Sequence, residues 1–177
     1  MKLNFLYVAD DVYFNLMRLS VISAVKYHKG AIFHIFTMDS PETKQVKITK
    51  KNIEKLQREI KCLDPTAQLI IYDVRDTYIK KLGNSVNQYS RFTPYAALRL
   101  LAPYIIKDVD LLLYLDADTL VVDKLFELFS DELVHQDFDI AATAGVTNDG
   151  IQSGSLVFNL RYQRETNLTF INDAISL

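Results

Sequence analysis

Leu111-Leu112-Leu113-Tyr114-Leu115-Asp116-Ala117-Asp118-Thr119-Leu120-Val121-Val122 is the stretch from which the fold of this chain is read. Five apolar residues run into two carboxylates spaced two apart, and the apolar run then resumes. A continuous apolar run of this length fits a parallel strand covered on both faces. An unpaired carboxylate inside such a strand is very costly. Asp116 and Asp118 are therefore expected at the carboxyl end of the strand, the edge where open α/β sheets bind ligands. Two Asp side chains converging there supply the oxygen donors that hard cations require. The reading is a metal site for a phosphate-bearing substrate. Its competitor is a pair of solvated loop or capping residues, which describes many Asp-x-Asp pairs.

The composition sets the bounds. A chain of 177 residues with 49% apolar content, ten Phe and ten Tyr is ample for a packed core in one domain, residues 1–177. The net charge of −2 and pI near 5.9 give no electrostatic footprint for nucleic acid. A protein so near neutrality needs a metal or local cations to hold an anionic phosphate. One cysteine, Cys62, excludes an internal disulfide and fits a reducing, cytoplasmic setting; as a small apolar residue it is expected to be buried. The apolar run at 3–9 is too short for a secretory leader, and the run at 111 is broken by its two Asp, so no transmembrane segment is expected.

Around the central stretch the chain alternates strand and helix. Strands are expected at 3–9, 31–38, 67–73, 138–143 and 155–160. A first helix at 13–28 takes Tyr13, Leu16, Leu19, Ser20, Ser23 and Tyr27 as its packed stripe. Pro41 opens a long charged helix striped by Val46, Ile53, Leu56, Ile60 and Leu63. Residues 75–92 read as irregular with a turn at Gly83-Asn84, and Thr93-Pro94 starts a helix over 95–102 ended by Pro103. A short helix is expected at 125–129, a loop at 144–150 and a last helix at 162–177. The order predicts an α/β fold, a mostly parallel, Rossmann-like sheet flanked by helices. No G-x-G-x-x-G or P-loop is present, so no glycine-rich cradle holds the phosphates. Arg99 is the lone cation of Ala-Ala-Leu-Arg-Leu-Leu-Ala. It either snorkels to solvent or reaches a ligand or carboxylate near the strand ends.

Three stretches resemble the retaining, metal-dependent glycosyltransferases of family 8. Val8-Ala9-Asp10-Asp11-Val12-Tyr13 resembles the first-strand nucleotide motif. Leu113 to Val121 matches the metal motif, the most specific piece. Gln152-Ser153-Gly154-Ser155-Leu156-Val157-Phe158-Asn159-Leu160 resembles the N-S-G strand. The resemblance implies a GT-A type fold, a UDP-sugar donor and Mn²⁺ or Mg²⁺. By the same resemblance Asp116 and Asp118 bind the metal and serve catalysis together with Gln152. Ala9, Asp10 and Tyr13 line the uracil and ribose pocket, Tyr13 by stacking, and Arg99 lies near the diphosphate and sugar. The implied reaction transfers glucose or galactose, with retention, to a saccharide or a lipid- or protein-linked glycan, as in lipopolysaccharide biosynthesis.

The chain departs from the family pattern in places. Val12 replaces a common Asn, Ala97 the Tyr of Y-x-R, and Gln152 the Asn of N-S-G; the downstream D-Q-D and H-x-x-G-x-x-K-P-W motifs are missing. A third metal ligand is therefore expected outside this sequence, and with it an incomplete catalytic unit, peripheral membrane attachment through a missing segment, and self-association into a homo-oligomer through an uncovered apolar face. Two other readings stand beside this one: an inactive UDP-binding fragment, and a phosphohydrolase of the haloacid-dehalogenase type. The latter normally carries D-x-D-G-T on its first strand.

Overall fold

The computed structural model describes residues 2–40, 43–83, 94–125, 130–145 and 150–176. Its strands are β1 (Asn4–Val8), β2 (Ile32–Thr37), β3 (Gln68–Asp73), β4 (Leu111–Leu115), β5 (Ile140–Ala144) and β6 (Ile151–Asn159). They form one sheet in the order β3-β2-β1-β4-β6-β5. The first four run parallel, and β6 runs antiparallel to both β4 and β5. Strand alternation divides the core into two layers. Phe5, Tyr7, Leu111, Leu113 and Leu115 face one side, while Leu6, Leu112 and Tyr114 face the other. Burying each large side chain contributes roughly 1.5–3 kcal/mol.

The first layer is closed by α1 (Phe14–Tyr27) and α2 (Lys50–Leu63), tied together by the Arg18–Glu59 ion pair. α1 packs through Phe14, Met17, Ser20, Val21, Ala24 and Val25; of the expected stripe Ser20 is buried as expected, whereas Tyr13, Leu16 and Leu19 are exposed. The helix is apolar nearly all round, so periodicity alone does not choose its face. α2 begins at Lys50, later than expected, and buries Leu56 and Ile60. The preceding residues stay extended because the Asp11 amide donates to the Val46 carbonyl and the Lys47 amide to Asp39. Val46 is exposed there, and Leu63 is exposed at the helix end. Pro41 lies outside the described residues. Cys62 is exposed on α2, contrary to its expected burial.

The second layer uses α3 (Arg75–Leu82), α4 (Pro94–Ala97), a tight helical turn at Leu98–Leu101 and α5 (Ala102–Ile105). Residues 75–82 are helical where an irregular segment is expected, because Tyr78 and Leu82, one turn apart, supply a buried face. The expected helix over 95–102 is divided, and Pro103 stands in the first turn of α5 instead of ending a helix. Asn84 and Thr93, expected in a turn and a cap, lie outside the described residues, as does most of the expected helix at 125–129. No strand resumes after Asp118, since Leu120 and Val122 are exposed and only Val121 is buried.

A short α6 (Asp131–Val134) precedes β5. β6 begins earlier than expected, so it includes Gln152, Ser153 and Gly154. Ala142 pairs with Leu156 and Ala144 with Ile151, so four residues of β6, 152–155, stand against the single Thr143. Bulges of this kind bend a strand locally. The last expected helix is split into α7 (Leu160–Glu165) and α8 (Thr169–Ser176) where Asn167 and Leu168 adopt positive φ.

Candidate active site

At the carboxyl ends of β1 and β4 lies a cleft of about 270 Å³. It is lined by Ala9, Asp10 and Tyr13 after β1, by Tyr95 and Ala96 of α4, by Gln45, and by Tyr114, Asp116, Ala117 and Asp118. Five of the seven residues singled out in the sequence thus share one cavity. Arg99 and Gln152 are not among its lining residues. Arg99 stands directly behind Tyr114 and Asp116, whereas Gln152 is exposed on the bulged part of β6.

The two carboxylates differ in their surroundings. Asp116 Oδ1 accepts the Tyr114 hydroxyl and lies 3.8 Å from Arg99 Nη1. The Asp116 amide donates to the Gly154 carbonyl at 2.8 Å, and the turn that follows is closed by the Thr119 hydroxyl donating to the Asp116 carbonyl. Asp118, two residues on, is exposed and has no hydrogen-bond or ion-pair partner among the described residues. The turn carrying it is gripped by α1: Ser20 Oγ is 3.3 Å from the Thr119 hydroxyl, and the Val121 amide donates to Ser23 Oγ at 2.9 Å. Ser20 also donates to the buried Tyr7 hydroxyl.

Asp10 is buried and doubly engaged, accepting from the Tyr13 amide at 2.8 Å and from Gln45 at 3.3 Å. It therefore closes the turn that leads into α1 while lining the cleft. Asp11 points elsewhere, accepting from the Thr49 amide and Asn52 at the start of α2; the bond from the Thr49 amide holds its carboxyl below the ordinary value. Tyr13 is half exposed at the mouth of the cleft. Tyr95 fixes the opposite wall, its hydroxyl donating to the Met38 carbonyl and accepting from the Met38 amide.

Arg99 does not snorkel freely. Nη1 donates to the Ser153 carbonyl at 2.8 Å and the guanidinium lies 4.9 Å from the centre of the Tyr114 ring. Burial pushes the Tyr114 phenol well above its ordinary value, with the nearby Arg99 charge opposing. The hydroxyl is thus a hydrogen-bond donor at neutral pH. Sequence reasoning missed Tyr114, Tyr95, Gln45 and the two serines of α1. Tyr114 was visible as the one polar-tipped residue in the apolar run of β4.

Among the described residues no three His, Cys, Asp or Glu side chains gather into a metal cage. Asp116 and Asp118 offer two hard oxygen donors at the end of β4, which suits a cation whose other positions are filled by water or phosphate oxygens.

The strand order and the cleft after β1 and β4 define a GT-A type fold. The chain belongs to glycosyl transferase family 8, whose model matches residues 4–172. No curated protein matches it. Among solved structures, the galactosyltransferase LgtC in complex with donor and acceptor sugar analogues superposes with a TM-score of 0.69 at 19% identity, covering 92% of this chain and 60% of LgtC. The bifunctional glycosyltransferase WbbM, in its apo form, gives 0.70 at 18% identity over 99% of this chain and 34% of its own. Mouse xyloside xylosyltransferase 1 gives 0.68 at 12% identity over 99% and 72%. The chain thus spans about 60% of the length of LgtC. Membership of this family sets aside the phosphohydrolase reading. No helix among the described residues is long and apolar enough to cross a membrane.

Proposed function

We propose that this chain binds a UDP-sugar with a divalent cation, Mn²⁺ or Mg²⁺, and transfers its hexose with retention to a saccharide or to a lipid- or protein-linked glycan. The observation that carries the reading is the meeting of Asp116 and Asp118 with Ala9, Asp10 and Tyr13 in one cleft. The base would lie against Tyr13 and Ala9, with Asp10 and Gln45 offering polar contacts to the nucleoside. Asp116 and Asp118 would hold the cation, which as a Lewis acid neutralises charge on the departing diphosphate. Arg99 and Tyr114 hold Asp116 in place, and Gly154 leaves room for its carboxylate. Gln152, exposed beside this group, is available to the acceptor side. The cleft supports nucleotide recognition most directly; the transfer step is proposed by family membership, for a chain that spans about 60% of the length of LgtC.

The test is a set of thermal melts of this chain with UDP, ADP and GDP, each in Mn²⁺ and in EDTA. A ligand that binds the native state raises the melting temperature. UDP in Mn²⁺ should give the largest shift. Equal shifts for all three nucleotides, indifferent to the metal, would remove the assignment.

A further inference from the structure

Asp116 is already occupied by the protein. Its Oδ1 takes the Tyr114 hydroxyl and faces Arg99 Nη1 at 3.8 Å, and its Oδ2 packs against the backbone of Gly154. Asp118 carries no such engagement among the described residues. Arg99 is held from three sides, by the Ser153 carbonyl, the Tyr114 ring and Asp116, and its side chain is only 19% exposed. A guanidinium is planar and weakly hydrated, which suits this half-buried niche better than an ammonium.

We infer that Arg99 is an exchangeable counter-ion for Asp116, which it neutralises until a diphosphate draws the guanidinium away, so that nucleotide and cation bind cooperatively. This rests on the metal-dependent reading given above. A cation at Asp116 and a guanidinium on the same carboxylate are like charges within a few ångströms, and at that distance they repel even though the Asp116 side chain is 42% exposed. Without an anion the cation meets Asp118 freely and Asp116 only in competition with Arg99. A diphosphate sharing that cation comes within reach of Arg99, because the guanidinium already lies beside the ligating carboxylate. Phosphate oxygens accept its fork in paired, charge-assisted bonds. The guanidinium then changes partner and Asp116 is released to the cation. By linkage, the factor by which UDP tightens Mn²⁺ equals the factor by which Mn²⁺ tightens UDP.

The test measures that factor on the 177-residue chain, with Mn²⁺ followed by electron paramagnetic resonance and UDP by calorimetry. The wild type should bind Mn²⁺ about tenfold or more tighter when UDP is saturating. In Arg99→Met, Mn²⁺ affinity without UDP should rise severalfold while that with UDP does not, so the factor shrinks. If the factor in Arg99→Met equals that of the wild type, the diphosphate merely completes the cation's shell, Arg99 adds a background field, and the inference fails while the metal-dependent reading stands. If the wild type binds neither UDP nor Mn²⁺, that reading fails and takes the inference with it. Should Arg99→Met not fold, Arg99→Lys keeps the charge but lacks the planar guanidinium that lies by the Tyr114 ring and could pair with phosphate oxygens through two nitrogens. Its factor should also shrink, and an unchanged one overturns the proposal.

Discussion

Gly154 lies so close to Asp116 that a Cβ placed on it would stand 2.8 Å from Oδ2 and 3.4 Å from Cγ. The carboxylate has little freedom to withdraw, since its other oxygen is held by Tyr114 and its own amide donates to the Gly154 carbonyl. Gly154→Ala should therefore turn Asp116 out of position. The expected result is Mn²⁺-dependent UDP binding weakened about tenfold, or about 1.4 kcal/mol. The overpacking itself should cost about 1–3 kcal/mol of stability. Calorimetry on a variant shown by circular dichroism to be folded decides this, and unaltered UDP binding would mean that Asp116 is not a ligand.

Asp118→Asn should leave the apo protein as stable as the wild type, because an exposed side chain without a partner changes stability by no more than about 0.5 kcal/mol. The Mn²⁺-dependent part of the UDP thermal shift should disappear. A clear fall in the apo melting temperature would instead assign Asp118 a structural role.

Tyr95→Phe removes a hydroxyl that both donates to the Met38 carbonyl and accepts from its amide. Both backbone groups are then left in the interior without that partner, at about 1–3 kcal/mol. Urea denaturation should show this loss. Since Tyr95 also lines the cleft, UDP affinity should fall with it. A variant as stable as the wild type would show that water replaces the hydroxyl.

Acid should destabilise the fold in two successive windows. Burial pushes His34 from 6.5 down to about 4, between the Tyr72 hydroxyl and Asn4. The unfolded chain binds that proton first, so stability present above pH 6.5 is lost as pH falls towards 4. Asp64 is held down at about 2 by bonds from the Thr66 hydroxyl and the Gly30 amide. Its contribution is complete above the unfolded value near 3.8 and is lost between there and pH 2. Gly30 has φ of +71°, so the loop that Asp64 ties is one only glycine adopts easily. Urea midpoints from about pH 8 down to about 2 should show both slopes, with the lower one absent in Asp64→Asn. A His34 ring resonance titrating above about pH 6 would contradict the first.

Much of this architecture was legible before the structure. β4 announced itself because an apolar run covered on both faces admits two carboxylates only at its end, and they lie there. Ala9, Asp10 and Tyr13 were legible through the resemblance of residues 8–13 to a family motif, whereas helical periodicity alone sets Tyr13 in the packed stripe of α1. Arg99 could be flagged but not placed. Its partners Ser153 and Asp116 come from segments far apart in sequence, joined by an antiparallel pairing that no local pattern encodes. The face of α1 was misread for a different reason: with apolar residues on nearly every side, only the sheet beneath selects Phe14, Met17 and Val21. Gln152 was chosen by its place in a motif, yet the contact to Arg99 is made by the backbone of its neighbour Ser153, and backbone contacts leave no trace in residue type.

The reversed direction of β6 has a mechanical consequence. It enters the sheet where β4 leaves it, and Leu115 pairs with Ser155, which brings Gly154 opposite Asp116. Side chains alternate faces along a strand, so sliding β6 by one residue would set a serine against the carboxylate. The same slide would drive Val157 and Phe158, which belong to opposite layers of the core, each into the other's layer. The interior thus acts as a vernier: bulky residues several positions away from the carboxylate set its alignment, and a change of packing at Val157 or Phe158 is read out at Asp116.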